Sequence, residues 1–354
     1  MLTIGIDAHK RVHQAVALDE RGQVVASWRG ANDAPAWTQL HAWAEELSGS
    51  RRWGIEGAHS FGHSLAQFLV GVGEAVHDVN PRLTAGERKH ARRRGKTDRL
   101  DAEAVARVLA REAARLPAVG LEDESAVLGL LVQERADLRR EATRVCNQLH
   151  ALLLRTEPTY QARLRPSLRR ATSVARLEQY TAPEAGLIAQ ARQAAVRRLA
   201  TRLRLLLEQA EALAEQIRAL AAPQYQPLAE LPGVDLLTAG ALAAILGPRT
   251  FPHEAALSAY AGVAPLEASS GERVRHRLNR GGDRQLNALL HRIVITQLRV
   301  TPAAQAYVAR RRAEGKTWRE AIRALKRYIV RAVWRLWQRC VPTPTPPLVA
   351  GLAT

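Results

Sequence analysis

Between Glu124 and about Ala222 apolar residues return at a step of seven, and this limits the fold more than any other feature. Leu131, Leu138, Val145 and Leu152 occupy every seventh position, while Leu199, Leu203, Leu206, Ala210, Leu213, Ile217 and Leu220 follow alternating steps of four and three. Both patterns are coiled-coil seams. Pro158, Pro166 and Pro183 separate them, so the spacing predicts an antiparallel pair of long helices, or arms that pair between subunits. An arm of about 30 residues spans about 45 Å at 1.5 Å per residue. The expected organisation is therefore a first domain over residues 1–118, a coiled-coil and oligomerisation region over 119–222, a third domain over 223–341, and a proline-rich tail over 342–354 expected to be disordered.

The first domain changes period. "LTIGIDA" is an apolar strand, "HQAVALDERGQVVASWRG" reads as two strands joined at Asp19 to Gly22, and "APAWTQLHAWAEELSG" is an amphipathic helix. "RRWGIEGA" and "EAVHDVN" read as strands on either side of the helix "FGHSLAQFLVGVG", and Pro81 opens a basic region that ends in a helix starting at Asp98. The order is three strands, helix, strand, helix, strand, helix. The third domain is mainly helical: a proline-glycine turn between short apolar helices in "LAELPGVDLLTAGALAAILG", a glycine- and arginine-rich stretch, and the basic helix "GKTWREAIRALKRYIVRAVWRLWQR". The fold class expected is thus α/β plus all-α.

Charge narrows the partners. Lys+Arg of 52 against Asp+Glu of 34 leaves +18 on 354 residues, which suits a nucleic acid better than an acidic metabolite. No run of about 20 apolar residues is present and Met1 leads straight into a strand pattern, so a soluble, cytoplasmic bacterial protein, associated with the nucleoid when DNA-bound, is expected. Cys146 and Cys340 lie far apart in helical patterns and support neither a disulfide framework nor a zinc site.

Four acids stand where chemistry is commonly built. Asp7 ends the first strand and Glu56 the fourth, and side chains at strand ends converge on one edge of a mixed sheet. Asp98 and Asp101, one helical turn apart, project from one face at the start of a helix. Each has a plainer reading: a turn former at a strand end, or Asp98 as N-cap with Asp101 at N3. The strand order, however, is that of the RNase H-like nucleases. Four clustered carboxylates raise one another's pKa unless cations neutralise them. Magnesium, as a pair of ions and with manganese as a substitute, fits oxygen ligands and in-line phosphoryl transfer. Arg92, Arg93, Arg94 and Lys96 in the adjacent basic stretch would steer nucleic acid to the site, a solvated basic loop being the alternative. His9, His59 and His63 are read as packing or surface histidines.

"GIDAHK", "GIEGAHSFG", "VNPRL", "RRRGKTDRLDAEA", "LPGV", "YAGVAPLEASSG", "RHRLNRGGDRQLNALLH" and "YVARRRAEGKTWREAIRALKRYI" occur in this order over almost all of residues 1–340. Together they resemble the DEDD insertion-sequence transposases, whose first domain is similar to RuvC Holliday-junction resolvase. The resemblance implies a DNA recombinase with Asp7, Glu56, Asp98 and Asp101 as metal-binding carboxylates. It implies a nucleophilic serine in "ASSG", Ser270 directly before Gly271, with Ser269 as the alternative, forming a covalent enzyme–DNA intermediate. It also implies donor and target DNA, a structured bridge RNA as guide, and composite sites in a homo-oligomer, a dimer or a tetramer on DNA. Arg273, Arg275, Arg277, Arg280 and Arg284 follow the serine and are expected to contact phosphate, a solvated basic loop being the alternative.

Two departures from the family pattern stand out. Glu56 is followed by "GAHSFG" where many relatives carry Thr-Gly, and Asp235 in "PGVD" replaces the second glycine of a helix-hairpin-helix turn. The "GKT" triplets at Gly95 and Gly315 lack the upstream glycine of a phosphate-binding loop. Two other functions fit parts of the chain. A hydrolytic nuclease or junction resolvase uses the carboxylates but leaves two-thirds of the sequence without a task. A non-enzymatic nucleic-acid-binding protein accounts for the charge but not for the acids.

Overall fold

The computed structural model describes residues 1–47, 49–90, 97–160, 167–267, 276–277, 279 and 281–341, without the side chains of 88–90, 267 and 276–277. The tail at 342–354 lies outside them. The chain forms two compact units. Residues 1–126 and the chain from Gln224 onward make one, and Val127–Pro223 the other.

The first unit opens with β1 (Leu2–Ala8), β2 (Val12–Leu18) and β3 (Val24–Ala31), followed by α1 (Ala34–Glu46), β4 (Arg51–Glu56), α2 (His63–Gly71) and β5 (Val76–Val79). Then come α3 (Pro81–His90), α4 (Asp98–Glu112) and the two-residue β6 (Ala118–Val119). The sheet order is β3-β2-β1-β4-β5-β6-β7, where β7 is Arg249–Thr250, with β1, β4 and β5 parallel and the remaining pairs antiparallel. β1 and β2 are buried almost continuously because helices cover both faces, whereas the edge strand β3 alternates half-buried and exposed positions. Ile4, Ile6, Leu40, Trp53, Ile55, Leu65 and Leu69 centre one core. Val105, Val108 and Leu109 of α4 anchor another beside Val79.

Two features depart from the expected element order. The basic stretch after Pro81 is itself a helix, α3, because Asn80 Oδ1 accepts the Arg82 N–H at 2.9 Å and Pro81 presets a helical φ at the first position. The sheet also recruits the third part of the chain. β7 (Arg249–Thr250) pairs with β6 through Ala118↔Thr250.

The second unit holds most of the two long helices, α5 (Glu124–Thr156, whose first three residues belong to the first unit) and α7 (Leu187–Tyr225, whose last two residues belong to the first unit), with α6 (Ala171–Glu178) between them. They run antiparallel: Arg135 Nε donates to Ala210 O, Arg202 pairs with Glu141, and Arg192 Nη1 donates to Arg155 O. Val145 is a core residue and Leu138 and Leu152 pack against that core, but Ala142, Leu149 and Leu153 complete the seam. Across from them sit Val196, Ala200, Leu203 and Leu206, while Leu220 is 48% exposed and Ala221 is buried instead.

From Gln224 the first unit resumes. A 3-10 turn precedes α8 (Leu236–Leu246), then β7, α9 (Glu254–Tyr260), the pair β8 (Leu266–Glu267) and β9 (His276–Arg277), and α10 (Arg284–Val300), α11 (Pro302–Ala313) and α12 (Trp318–Cys340). Asp235 caps α8 by accepting the Thr238 N–H at 2.8 Å. Gly315 takes φ +81° after α11, and a capping box between Thr317 and Glu320 starts α12. Among the described residues no helix is long and apolar enough to cross a membrane.

Candidate active site

The parallel register of β1 and β4 sets Asp7 beside Glu56 at the carboxyl ends of two central strands. Two residues earlier on the same face the register pairs Gly5 with Gly54. A Cβ on Gly5 would lie 2.2 Å from Ala106 N and 2.4 Å from Ala102 O. Only glycine lets the α4 backbone settle on the strand, and that approach brings the first turn of α4 to the strand ends. Asp101, next to Ala102, is 7% exposed.

Thr97 is the N-cap of α4, its hydroxyl accepting the Leu100 N–H at 3.3 Å. Asp98 is thus the first helical residue rather than the cap, and its side chain, 48% exposed, faces the strand ends. Two acids in the first turn are partly offset by the helix dipole.

His9, two residues beyond Asp7, holds its Nε2 3.0 Å from Asp7 Oδ2 and 3.8 Å from Asp98 Oδ1. Asp7, His9 and Asp98 each offer one ligand atom within 4.8 Å of the others. Arg29 Nη2 stands 3.8 Å from Asp98 Oδ2. Glu56 Oε2 accepts a 2.7 Å hydrogen bond from the buried Thr84 hydroxyl of α3. Burial pushes the Asp7 carboxyl above the usual carboxylate range; His9 opposes this, and the charges of Asp101 and Glu56 add to the rise. Clustered carboxylates at a sheet edge are the donor set a divalent cation fits, and its charge would relieve the repulsion. The imidazole makes the set less purely oxygen than magnesium prefers and equally open to manganese.

Sequence reasoning named His9 without a role and passed over Thr84 and Arg29. His9 was legible as the residue two beyond Asp7 on an extended chain. Thr84 carries no local signal, since its helix was hidden in a basic run.

Ser269 and Ser270 lie outside the described residues, between β8 and β9 in sequence. The described residues on either side of that segment are held together. Leu266 pairs with Arg277, Asp283 N–H donates to Tyr260 O at 2.6 Å, and Asn287 Nδ2 donates to Ala261 O at 2.7 Å. A Cβ on Gly282 would fall 2.2 Å from Gly262 Cα, so the two flanking backbones touch. Lys326 Nζ braces Asn287 Oδ1 at 2.9 Å, and Asn80 Nδ2, just past β5, donates to Gly281 O at 2.6 Å. Gly281, which follows the serine segment in sequence, is therefore tied to the residue just past β5 of the carboxylate-bearing sheet. Of the arginines expected to meet phosphate, Arg284 is exposed in the first turn of α10. The side chains of Arg92, Arg93, Arg94, Lys96, Arg273, Arg275, Arg277 and Arg280 lie outside the described set.

Two family profiles match the chain. The transposase family DEDD_Tnp_IS110 matches residues 4–158, and the transposase family of IS116/IS110/IS902 matches residues 225–309. The chain is 32% identical, over 66% of its length and 68% of the relative, to the uncharacterized 43.6 kDa protein of insertion element IS110 from Streptomyces coelicolor. It is 26% identical to the 44.8 kDa protein of insertion element IS116 from Streptomyces clavuligerus, over 98% of this chain and 97% of that one. It is 25% identical to the 42 kDa protein of insertion element IS900 from Mycobacterium paratuberculosis, over 94% of each.

Proposed function

Since the chain belongs to the IS110/IS116 family of insertion-element transposases, we propose that it cuts and rejoins DNA by metal-assisted phosphoryl transfer, with Ser270 as nucleophile and a bridge RNA as guide. The observation that carries this reading is the meeting of Asp7 with Glu56, by strand register, and with Asp98 and His9, by side-chain approach. A fold gains no stability from gathering like charges, so the arrangement is better explained by a ligand than by packing. The sheet order, with β1 central and α4 laid across it, supports an RNase H-like first domain.

Asp7, Glu56, Asp98 and Asp101 would hold one or two divalent cations, which supply charge neutralisation and polarisation of a DNA phosphate when bound. The chain's own residues do the rest. Thr84 fixes the Glu56 carboxylate, and His9 Nε2, 3.0 Å from Asp7 Oδ2, orients the Asp7 carboxylate. Asn279, Asn287 and the Gly262–Gly282 contact hold together the described residues on either side of the serine segment. The Ser270 oxygen bonds to phosphorus as the bond from phosphorus to a deoxyribose oxygen breaks, the serine proton being removed and the leaving oxygen gaining one. Attack by a DNA hydroxyl reverses the exchange and frees the serine, so the bond energy is kept for rejoining. The long α5 and α7 are the candidates for coiled-coil pairing between subunits.

The test is cleavage of DNA carrying the element's ends, with and without excess chelator, by wild type and Asp7→Asn protein loaded with its co-purifying RNA. Metal-dependent cleavage that Asp7→Asn lacks is expected, together with enrichment of one discrete transcript from DNA flanking the gene. Full cleavage in chelator would remove the metal from the reading. Only random cellular RNA would remove the guide.

A further inference from the structure

Away from the carboxylates, a cleft of about 730 Å³ opens between α11, α12 and the turn at residues 262–265. Arg310, Arg311, Lys316, Arg323, Arg327 and Arg331 line it. Among the described residues the only lining carboxylate is Glu320, which is engaged by the Thr317 N–H and hydroxyl, both at 2.8 Å, in the helix cap and lies 3.9 Å from Arg323 Nη2. Glu254 reaches in to pair with Arg327 and Arg331, and Glu314 pairs with Arg310 and Arg311, so the cations still outnumber the acids that meet them. Arg311 Nε is buried without a hydrogen-bond partner among the described residues. Two aromatic rings share this space. Tyr307 and Tyr328 stand edge to face at 5.2 Å, with the Arg310 guanidinium 5.4 Å from the first ring centroid and the Arg331 guanidinium 5.6 Å from the second.

A concave site with surplus guanidinium charge and aromatic rings matches a ligand that is anionic at one end and flat at the other. A duplex backbone would use the charge and leave the rings idle. An unstacked nucleotide uses both, its base against a ring and its phosphate on the arginines. Tyr328 is 52% exposed, which leaves ring surface for a base. The cleft wall at Gly262 to Pro265 runs directly into β8 and the serine segment. We propose that this cleft captures one unstacked nucleotide of single-stranded DNA, in the strand that passes the serine segment. Its position along that strand rests on the reading of Ser270; capture itself does not.

The test is binding of short single-stranded DNA containing one 2-aminopurine, with duplex DNA and single-stranded RNA of the same sequence as comparisons, by full-length protein. Stacking on a tyrosine quenches the reporter. Tyr328→Ala should weaken single-strand binding about tenfold and abolish the quench, Tyr328→Phe should stay within about twofold, and duplex binding should be unchanged in both. Arg310→Ala, at a side chain 67% exposed, should weaken single-strand binding and steepen no duplex effect, which guards against a folding artefact at Tyr328. Equal losses on single strand and duplex, no loss in Tyr328→Ala, or preference for RNA over DNA would each overturn the proposal. Because binding is read without cleavage, and the Ser270→Ala adduct is scored separately, failure of the cleft and failure of the serine assignment give different results.

Discussion

Replacing Gly5 with alanine tests whether the placement of α4 builds the carboxylate cluster. The new Cβ would sit 2.2 Å from Ala106 N, 2.4 Å from Ala102 O and 2.7 Å from Ala106 Cα. These are backbone atoms, so no rotamer change relieves them. Ordinary contact begins near 3.5 Å, and α4 must retreat by about 1 Å. Without a clash, alanine in place of a strand glycine would stabilise by about 0.5–1 kcal/mol through chain entropy. Overpacking of this kind costs about 1–3 kcal/mol and reverses the sign. Asp98 and Asp101 ride on the moved helix, and a displacement of about 1 Å at a reacting group costs about a hundredfold in rate. Gly54→Ala is the control. Its Cβ would meet Val79 Cγ2 at 3.0 Å and Leu109 Cδ2 at 3.1 Å, side-chain atoms that can yield. Urea denaturation should show a clear loss for Gly5→Ala and a smaller change for Gly54→Ala. Cleavage at saturating metal, at a temperature where both variants are folded, should fall about a hundredfold and less than about tenfold respectively. Cleavage by Gly5→Ala within twofold of wild type would refute the argument that this glycine sets the site.

Asp7→Asn should lose cleavage by at least about a hundredfold yet resist urea better than wild type at neutral pH in chelator. Burial raises the Asp7 carboxyl in the folded state, so its contribution is fully present below the unfolded value and is lost as pH rises through the folded one. The two proteins should therefore converge in stability under acid, and an equal or lower urea midpoint for the variant at neutral pH would contradict this. Thr84→Val removes the 2.7 Å bond to Glu56 without changing side-chain size; cleavage should fall about tenfold to a hundredfold, with a raised metal requirement in a metal titration. Ser270→Ala should abolish the covalent protein–DNA adduct seen on denaturing gels while DNA binding stays within about twofold; an adduct that persists there and vanishes in Ser269→Ala moves the nucleophile by one residue. Asp101→Asn and Ser270→Ala subunits, each inactive alone, should recover partial cleavage when mixed if sites form between chains. The bond from Asn80 to Gly281 joins a residue that follows the serine segment in sequence to its own sheet, and absence of recovery in verified mixed oligomers would assign each site to one chain.

Local periodicity carried much of this protein into view. Strand alternation and turn residues delimited β1 to β5, the strand-end acids Asp7 and Glu56 stood out by position, and the step of seven located α5 and α7 because a helix repeats its buried face at that interval. What periodicity does not encode is which surfaces meet. A two-residue strand has no period, so the pairing of Ala118 with Thr250 that joins distant parts of the chain into one sheet was invisible. The α3 helix was masked because its cations carry no apolar stripe, and with it went the contact of Thr84 with Glu56. Gly5 reads in sequence as one more small residue in a strand; only the α4 backbone beside it reveals that the site depends on the missing Cβ. Tyr307 and Tyr328 likewise lie on two helices whose packing, and not their spacing, sets their rings 5.2 Å apart. Side-chain identity is written along the chain, whereas distance between side chains remote in sequence is decided by how the helices and the sheet close on one another.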